Sequence, residues 1–121
     1  MLYLVDRSTV ILKPSAAFLT WLNQNLAEDG LGRELTLEQI RVNCRTLLVP
    51  QQATPEEIMT YVGERYLPLF ELEVGSWFED RERWPSSMDL ADFWEFFDIE
   101  ILDEVLDLVD ATITNHSLED N

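Results

Sequence analysis

FDIEILDEVLDLV, running from Phe97 to Val109, is the stretch on which the fold turns. In its first half Phe97, Ile99 and Ile101 alternate with Asp98 and Glu100, the two-residue period of a strand with one apolar face. From Ile101 onward, Val105, Leu108 and Val109 return at helical spacing. The strand reading is preferred, with a bulge near Leu102 to Glu104 absorbing the change of period.

Working outward, Ser86 or Ser87 can cap a short helix that carries Leu90, Phe93, Trp94 and Phe97. Before it, residues 75–87 read as a connector. Further back stands Thr54-Pro55-Glu56-Glu57, an N-cap threonine with proline at the first helical position and glutamate at the third. The helix it opens places Ile58, Tyr61, Val62, Tyr66, Leu69 and Phe70 on one side, and Pro68 should kink or interrupt it. Residues 41–49 form a second strand candidate, stopped by Pro50. In it Val42, Cys44, Thr46 and Leu48 share one face. At the N-terminus, Tyr3 to Lys13 is rich in β-branched residues and reads as a strand that Pro14 ends. Ser15 then caps a helix bearing Phe18, Leu19, Leu22 and Leu26, with Gly30 and Gly32 as its terminating turn.

The expected order is therefore β-α-β-α-α-β. This describes a two-layer α+β fold, a three-stranded and mostly antiparallel sheet with two to three helices on one face. Residues 1–114 are expected to form a single domain, and the polar residues 115–121 a frayed tail. A chain of 121 residues has the size of one domain, and its 46% apolar content supplies a core despite the high charge.

The charge is −16, from 24 acidic and 8 basic side chains, and it is unevenly placed. Residues 1–70 carry eight acidic and six basic groups; residues 71–121 carry sixteen acidic groups against Arg81 and Arg83 alone. Such a field repels phosphates and anionic lipid, so direct binding to nucleic acid or membrane is disfavoured, and it draws in basic partners. No apolar run reaches the ~18 residues of a membrane span. Asp6 and Arg7 break the opening Leu2-Tyr3-Leu4-Val5 run, which argues against a signal peptide. Cys44 has no second cysteine to pair with, and cytoplasm is the expected compartment.

Four blocks resemble a family of short, acidic bacterial proteins to which no function is assigned. They are Arg7-to-Pro14 leading into Phe18-x-x-Trp21-Leu22, Leu48-Val49-Pro50, Trp84-Pro85, and Phe93 through Ile101. The resemblance implies a bacterial cytosolic α+β domain whose last block pairs as a strand. It carries over no catalytic residue. Leu102-Asp103-Glu104 is more helical and more acidic than that family leads one to expect.

Residues suited to catalysis are few. His116 sits in a polar terminal segment and reads as solvated. Cys44 becomes a nucleophile only if a base or a cation such as Arg41 or Arg45 lowers its pKa, and core packing is the simpler reading. A helical 101–110 would align Asp103, Asp107 and Asp110 beside Glu104. Tight Ca²⁺ or Mg²⁺ sites, however, need ligands converging from a turned loop, and a row of acids opposite apolar residues is an ordinary solvated face. Acids near Trp77, Trp84 and Trp94 invite a glycosidase reading, yet such enzymes need a loop-walled groove that a chain this short seldom builds. No metal, no cofactor and no catalytic residue is assigned.

Nine of the thirteen aromatic residues fall between Tyr66 and Phe97. Phe70, Phe93 and Phe97 lie on apolar faces. Trp77, Phe78 and Trp84 sit instead among Glu79, Asp80, Arg81, Glu82 and Arg83, a composition shared by interface hot spots and satellite cores. The sequence thus favours a non-enzymatic interaction protein, monomer or homodimer. Its expected surface is Trp77, Phe78, Trp84, Asp103, Glu104, Asp107 and Asp110, offered to a basic protein partner. Mimicry of nucleic acid is a special case. The alternatives are a small ligand-binding or enzymatic domain with an unadvertised site, and a homo-oligomeric structural protein.

Overall fold

The central strand is made by Arg7–Pro14 (β2), whose side chains alternate between exposed or half-buried at the odd positions and buried at the even ones. The computed structural model describes residues 1–30 and 33–118. Strand β3 (Arg45–Pro50) pairs antiparallel along one edge of β2, with Val10 opposite Leu47. Strand β4 (Phe97–Leu102) pairs antiparallel along the other, with Val10 opposite Ile101. The order is β3-β2-β4. Because the side-chain period is two, Val10, Leu12, Leu47, Val49, Phe97, Ile99 and Ile101 all turn to one side.

Helices cover that side. Helix α1 (Ala16–Ala27) begins at Ser15, whose Oγ accepts from the Phe18 N–H. Ser15 also donates its own N–H to Phe96 O at 2.8 Å and its hydroxyl to Glu95 O at 2.7 Å. One residue therefore caps α1 and ties it to α5 (Leu90–Phe96). Between them come α2 (Leu37–Ile40), α3 (Pro55–Gly63) and α4 (Tyr66–Gly75), then a single 3-10 turn at Arg81–Arg83. Phe18 and Leu22 from α1, Ile58 and Val62 from α3, Phe70 and Val74 from α4, and Phe93 from α5 meet the sheet in one core cluster. At its centre the Phe93 ring lies 5.8 Å from Phe70, 5.2 Å from Phe97 and 5.8 Å from Tyr66. Offset and edge contacts of this kind add to the gain from burial.

The α+β class holds, while several boundaries move. The Tyr3–Lys13 segment is two strands, because a bend at Asp6 detaches Tyr3–Leu4 (β1) from β2. Pro14 is the last residue of β2 and not a stop before it, since a strand end does not need the missing N–H. The expected bulge at Leu102–Glu104 is a full break. After it Leu106–Asp107 (β5) leaves the main sheet and pairs with β1, Leu4 opposite Leu106, as a second small sheet.

Residues 41–43 turn, so the second strand begins at Arg45. Thr46 and Leu48 occupy its outer, exposed side. The helix expected to kink at Pro68 breaks earlier, between Gly63 and Tyr66, and Pro68 falls in the first turn of α4. First-turn N–H groups lack an intrahelical acceptor, so proline costs little there. Asp89 caps α5 in a reciprocal capping box with Asp92, and Ser87 supports it by donating to the Asp92 carboxylate. Phe97 leaves that helix and opens β4. Five α-helices among the described residues exceed the expected two to three, because the helix expected to kink at Pro68 is two helices and because α2 lies in a four-residue segment. Its Thr36-to-Gln39 capping box was nevertheless readable. Gly32 and residues 119–121 lie outside the described residues; residues 115–118 are neither helix nor strand and are exposed.

Two glycines make opposite predictions. Gly30 adopts φ +68° with open space around it, so Gly30→Ala meets no clash but forces alanine into the left-handed region, at about 1 kcal/mol. Gly63, the last residue of α3, would place a Cβ 3.6 Å from Leu90 Cδ1 and from the Trp94 ring, which is ordinary contact. Gly63→Ala should therefore raise stability by about 0.5 kcal/mol. Urea unfolding of both variants checks the two signs.

Candidate functional site

Register separates what the sequence put together. Trp77 lies by Pro14, Arg45 and Phe97, at one end of the main sheet. Asp103 and Glu104 follow Leu102, which pairs with Thr9 near the opposite end, where Arg7 meets Pro50. Strand β2 puts roughly 20–25 Å between the two ends. The aromatic and acidic groups therefore form no common face.

At the first end the three connector aromatics have different fates. Phe78, read as a surface residue, is a core residue at 4% exposure. The last turn of α4 continues through a Phe78 N–H bond to Val74 O, and this folds the ring edge-on to Trp21 at 5.7 Å. The Arg83 guanidinium covers it at 4.1 Å. Trp84 is half-buried; its Nε1 donates to Phe78 O at 2.8 Å and Arg81 stacks over its ring. Only Trp77 stays open, at 41%.

Trp77 rims a cleft of about 310 Å³ whose floor includes Phe18, Phe97 and Ile40. Arg45 and Glu73 stand side by side in its wall, Nε to Oε2 at 3.4 Å. Burial raises the Glu73 pKa, and the neighbouring Arg45 guanidinium opposes that rise without cancelling it. Sequence reading passed over Glu73, although Phe70, Glu73, Val74 and Trp77 share one helical stripe and an acid among three apolar residues was a usable signal. Cys44 lines the same cleft. It is half-buried on the turn before β3, outside the core cluster that was expected to hold it, and donates Sγ–H to Arg41 O. The two arginines are engaged elsewhere: Arg41 Nε donates to Pro14 O at 2.9 Å, and Arg45 pairs with Glu73.

The raised Glu73 pKa sets a pH dependence. The folded state holds this proton more tightly than the unfolded chain, so the stabilisation is fully present below the ordinary value of 4.5. It is lost as pH rises through the raised one. Asp92 behaves oppositely. The Ser87 hydrogen bond, and then the Asp89 backbone, lower its pKa, so its contribution exists above 3.8 and disappears as pH falls through the lowered value. Melting temperatures of wild type and Glu73→Gln between pH 4 and 8 should show wild type losing ground as pH rises. A constant difference across that range would contradict the assignment.

At the second end β1, β5 and the segment after β5 enclose a groove of about 960 Å³. Leu4, Val5, Leu48, Val109 and Ile113 give it apolar walls, and Leu106 flanks it at 45% exposure. Leu48 is 52% exposed and Val109 64%. Asp6, Asp107 and Asp110 stand among these residues. Among the described residues the one cation lining it, Arg7, is bound to Asp6 at 2.8 Å. Asp107 also accepts the Val109 N–H at 2.8 Å, a side-chain turn that sends the chain back past β1. Asp103 and Glu104 are exposed in the break between β4 and β5. Among the described residues no group of three or more His, Cys, Asp or Glu side chains is placed to hold a metal ion. His116 is exposed.

These features define a two-layer α+β protein with helices on one sheet face, a charged cleft at one end and an acid-rimmed apolar groove at the other. Among the described residues no helix is long and apolar enough to cross a membrane. No family model matches the chain, and neither a curated protein nor a solved structure matches it.

Proposed function

We propose that this chain is a non-enzymatic protein-interaction module whose partner offers a segment carrying both apolar and basic side chains. The observation behind this reading is the groove at β1 and β5, where several large aliphatic residues are exposed together among acids. Exposed apolar surface gathered in one patch is the usual mark of a binding face. The acids choose the partner: Asp6, Asp107 and Asp110, with Asp103 and Glu104 nearby, complement lysine or arginine flanking an apolar run. A second copy of the chain would bring the same acids against each other in a molecule already carrying −16. The three aromatic members of the expected surface take no part in this contact: Phe78 is buried, Trp84 is half-buried, and Trp77 stands at the other end of the sheet.

The test uses synthetic peptides of about twelve residues alternating leucine with lysine, or leucine with glutamate, titrated into the labelled protein. The lysine peptide should shift amide resonances at residues 4–6, 48 and 105–113, and weaken with added salt. The double variant Leu106→Asp with Val109→Asp, both at exposed positions, should abolish the shifts and keep the fold. Equal binding of both peptides, or shifts elsewhere, would refute the reading. Dimerisation in their absence would show that the groove serves a second copy.

A further inference from the structure

The cleft at the other end of the sheet has a composition of its own. Phe18 and Phe97 lie beneath it as part of the core, its open apolar surface comes from Ile40, Val42 and Trp77, and among the described residues its wall holds one cation and one anion. These two charges are poorly matched to each other. Arg45 Nε reaches Glu73 Oε2 at 3.4 Å, and Arg45 Nη2 reaches Ser76 Oγ at 3.4 Å. Charge-assisted bonds of full strength run at about 2.7–2.9 Å. The Glu73 carboxylate nevertheless keeps only 15% of its side chain exposed, and among the described residues no donor other than Arg45 reaches it. Ser76 Oγ donates its hydrogen to Leu72 O at 2.8 Å, so it can accept from Arg45 but has no proton left for Glu73. A partly buried ion pair held at long range over an apolar floor is costly to maintain by itself.

We propose that this cleft binds a small zwitterion, an α-amino acid with an apolar side chain. Its carboxylate pairs with Arg45, its ammonium with Glu73, and its side chain meets Ile40, Val42 and Trp77. The two wall charges select this class. A simple carboxylate entering to meet Arg45 is repelled by Glu73, and by the −16 of the whole molecule. A simple amine entering to meet Glu73 is repelled by Arg45. A zwitterion is neutral overall and presents the matching charge to each, replacing one long contact with two short ones. The cleft, about 310 Å³, is at the lower limit of ligand pockets and of a size for a single amino acid. Trp77 at the rim, 41% exposed, is placed to cover the ligand and to report its arrival by fluorescence.

The experiment titrates the full chain with leucine, methionine and phenylalanine, and with the methyl ester and N-acetyl form of each, reading Trp fluorescence and calorimetric heat. The free amino acids should saturate with a Kd of about 1 mM or tighter. Each derivative removes one charge from the ligand and should bind about tenfold more weakly or worse, the effect of one charge-assisted hydrogen bond. This comparison needs no substitution, so it stands whether or not a variant folds. Glu73→Gln and Arg45→Met should lose binding, with circular dichroism confirming native secondary structure. No saturation by any free amino acid up to about 10 mM, or esters and N-acetyl forms binding as tightly as their parents, would overturn the proposal.

Discussion

Phe93→Ala is expected to remove about 3–5 kcal/mol of unfolding free energy, a large part of what a domain of this size possesses. The ring is fully buried and touches four aromatic neighbours: Tyr66, Phe70, Trp94 and Phe97. These come from α4, from α5 itself and from the first residue of β4, so the cavity opens where helix layer and sheet meet. Rigid rings fill such a void poorly by relaxation, which places the cost at the upper end of the range. Urea unfolding followed by near-ultraviolet circular dichroism reads it directly. A loss below about 1.5 kcal/mol would mean that the core collapses around the deletion and that the aromatic cluster matters less than its geometry indicates.

Arg83→Ala comes next, at about 2 kcal/mol. The guanidinium holds Asp29 through two nitrogens, at 3.1 and 3.2 Å, and donates to Asn25 O at 2.9 Å at the end of α1. It also lies over the Phe78 ring at 4.1 Å. One side chain therefore fastens the 76–85 connector to α1 and closes the core over Phe78. Arg83→Lys should recover little of the loss, because a lysine ammonium cannot grip a carboxylate with two parallel bonds and cap a ring together. Full rescue by lysine would show that charge alone matters. Thermal unfolding of the three proteins at low and high salt decides the point, since a partly buried forked pair resists screening better than an exposed one.

Arg83 also shows where sequence reading stopped. The 75–87 segment reads as a charged connector whose aromatics suit either an interface or a satellite core, and two of its three aromatic rings turn inward. Nothing local announces this. Burial of Phe78 requires Trp21 from α1 and Val74 from α4 to stand beside it, and the covering cation lies five residues further on. The acids of the C-terminal half were similarly legible as charge and illegible as a surface. Asp107 and Asp110 reach the groove because β5 leaves the main sheet to pair with β1, more than one hundred residues earlier in the chain.

Local chemistry alone determined the parts list: Ser15 and Thr54 as caps, the alternation of Phe97 to Ile101, the helical stripe of Phe18 and Leu22, and the excess of acid after residue 70. Each rests on interactions within a few residues, where hydrogen-bond geometry and side-chain period leave few choices. Tertiary structure decided the rest. It sent Trp77 and the acids of residues 103–110 to opposite ends of the sheet, buried Phe78, and set Glu73 against Arg45. Those outcomes depend on which strands pair and in what register. Register is a property of the assembled sheet, because a single residue of slip would exchange every inward side chain for an outward one.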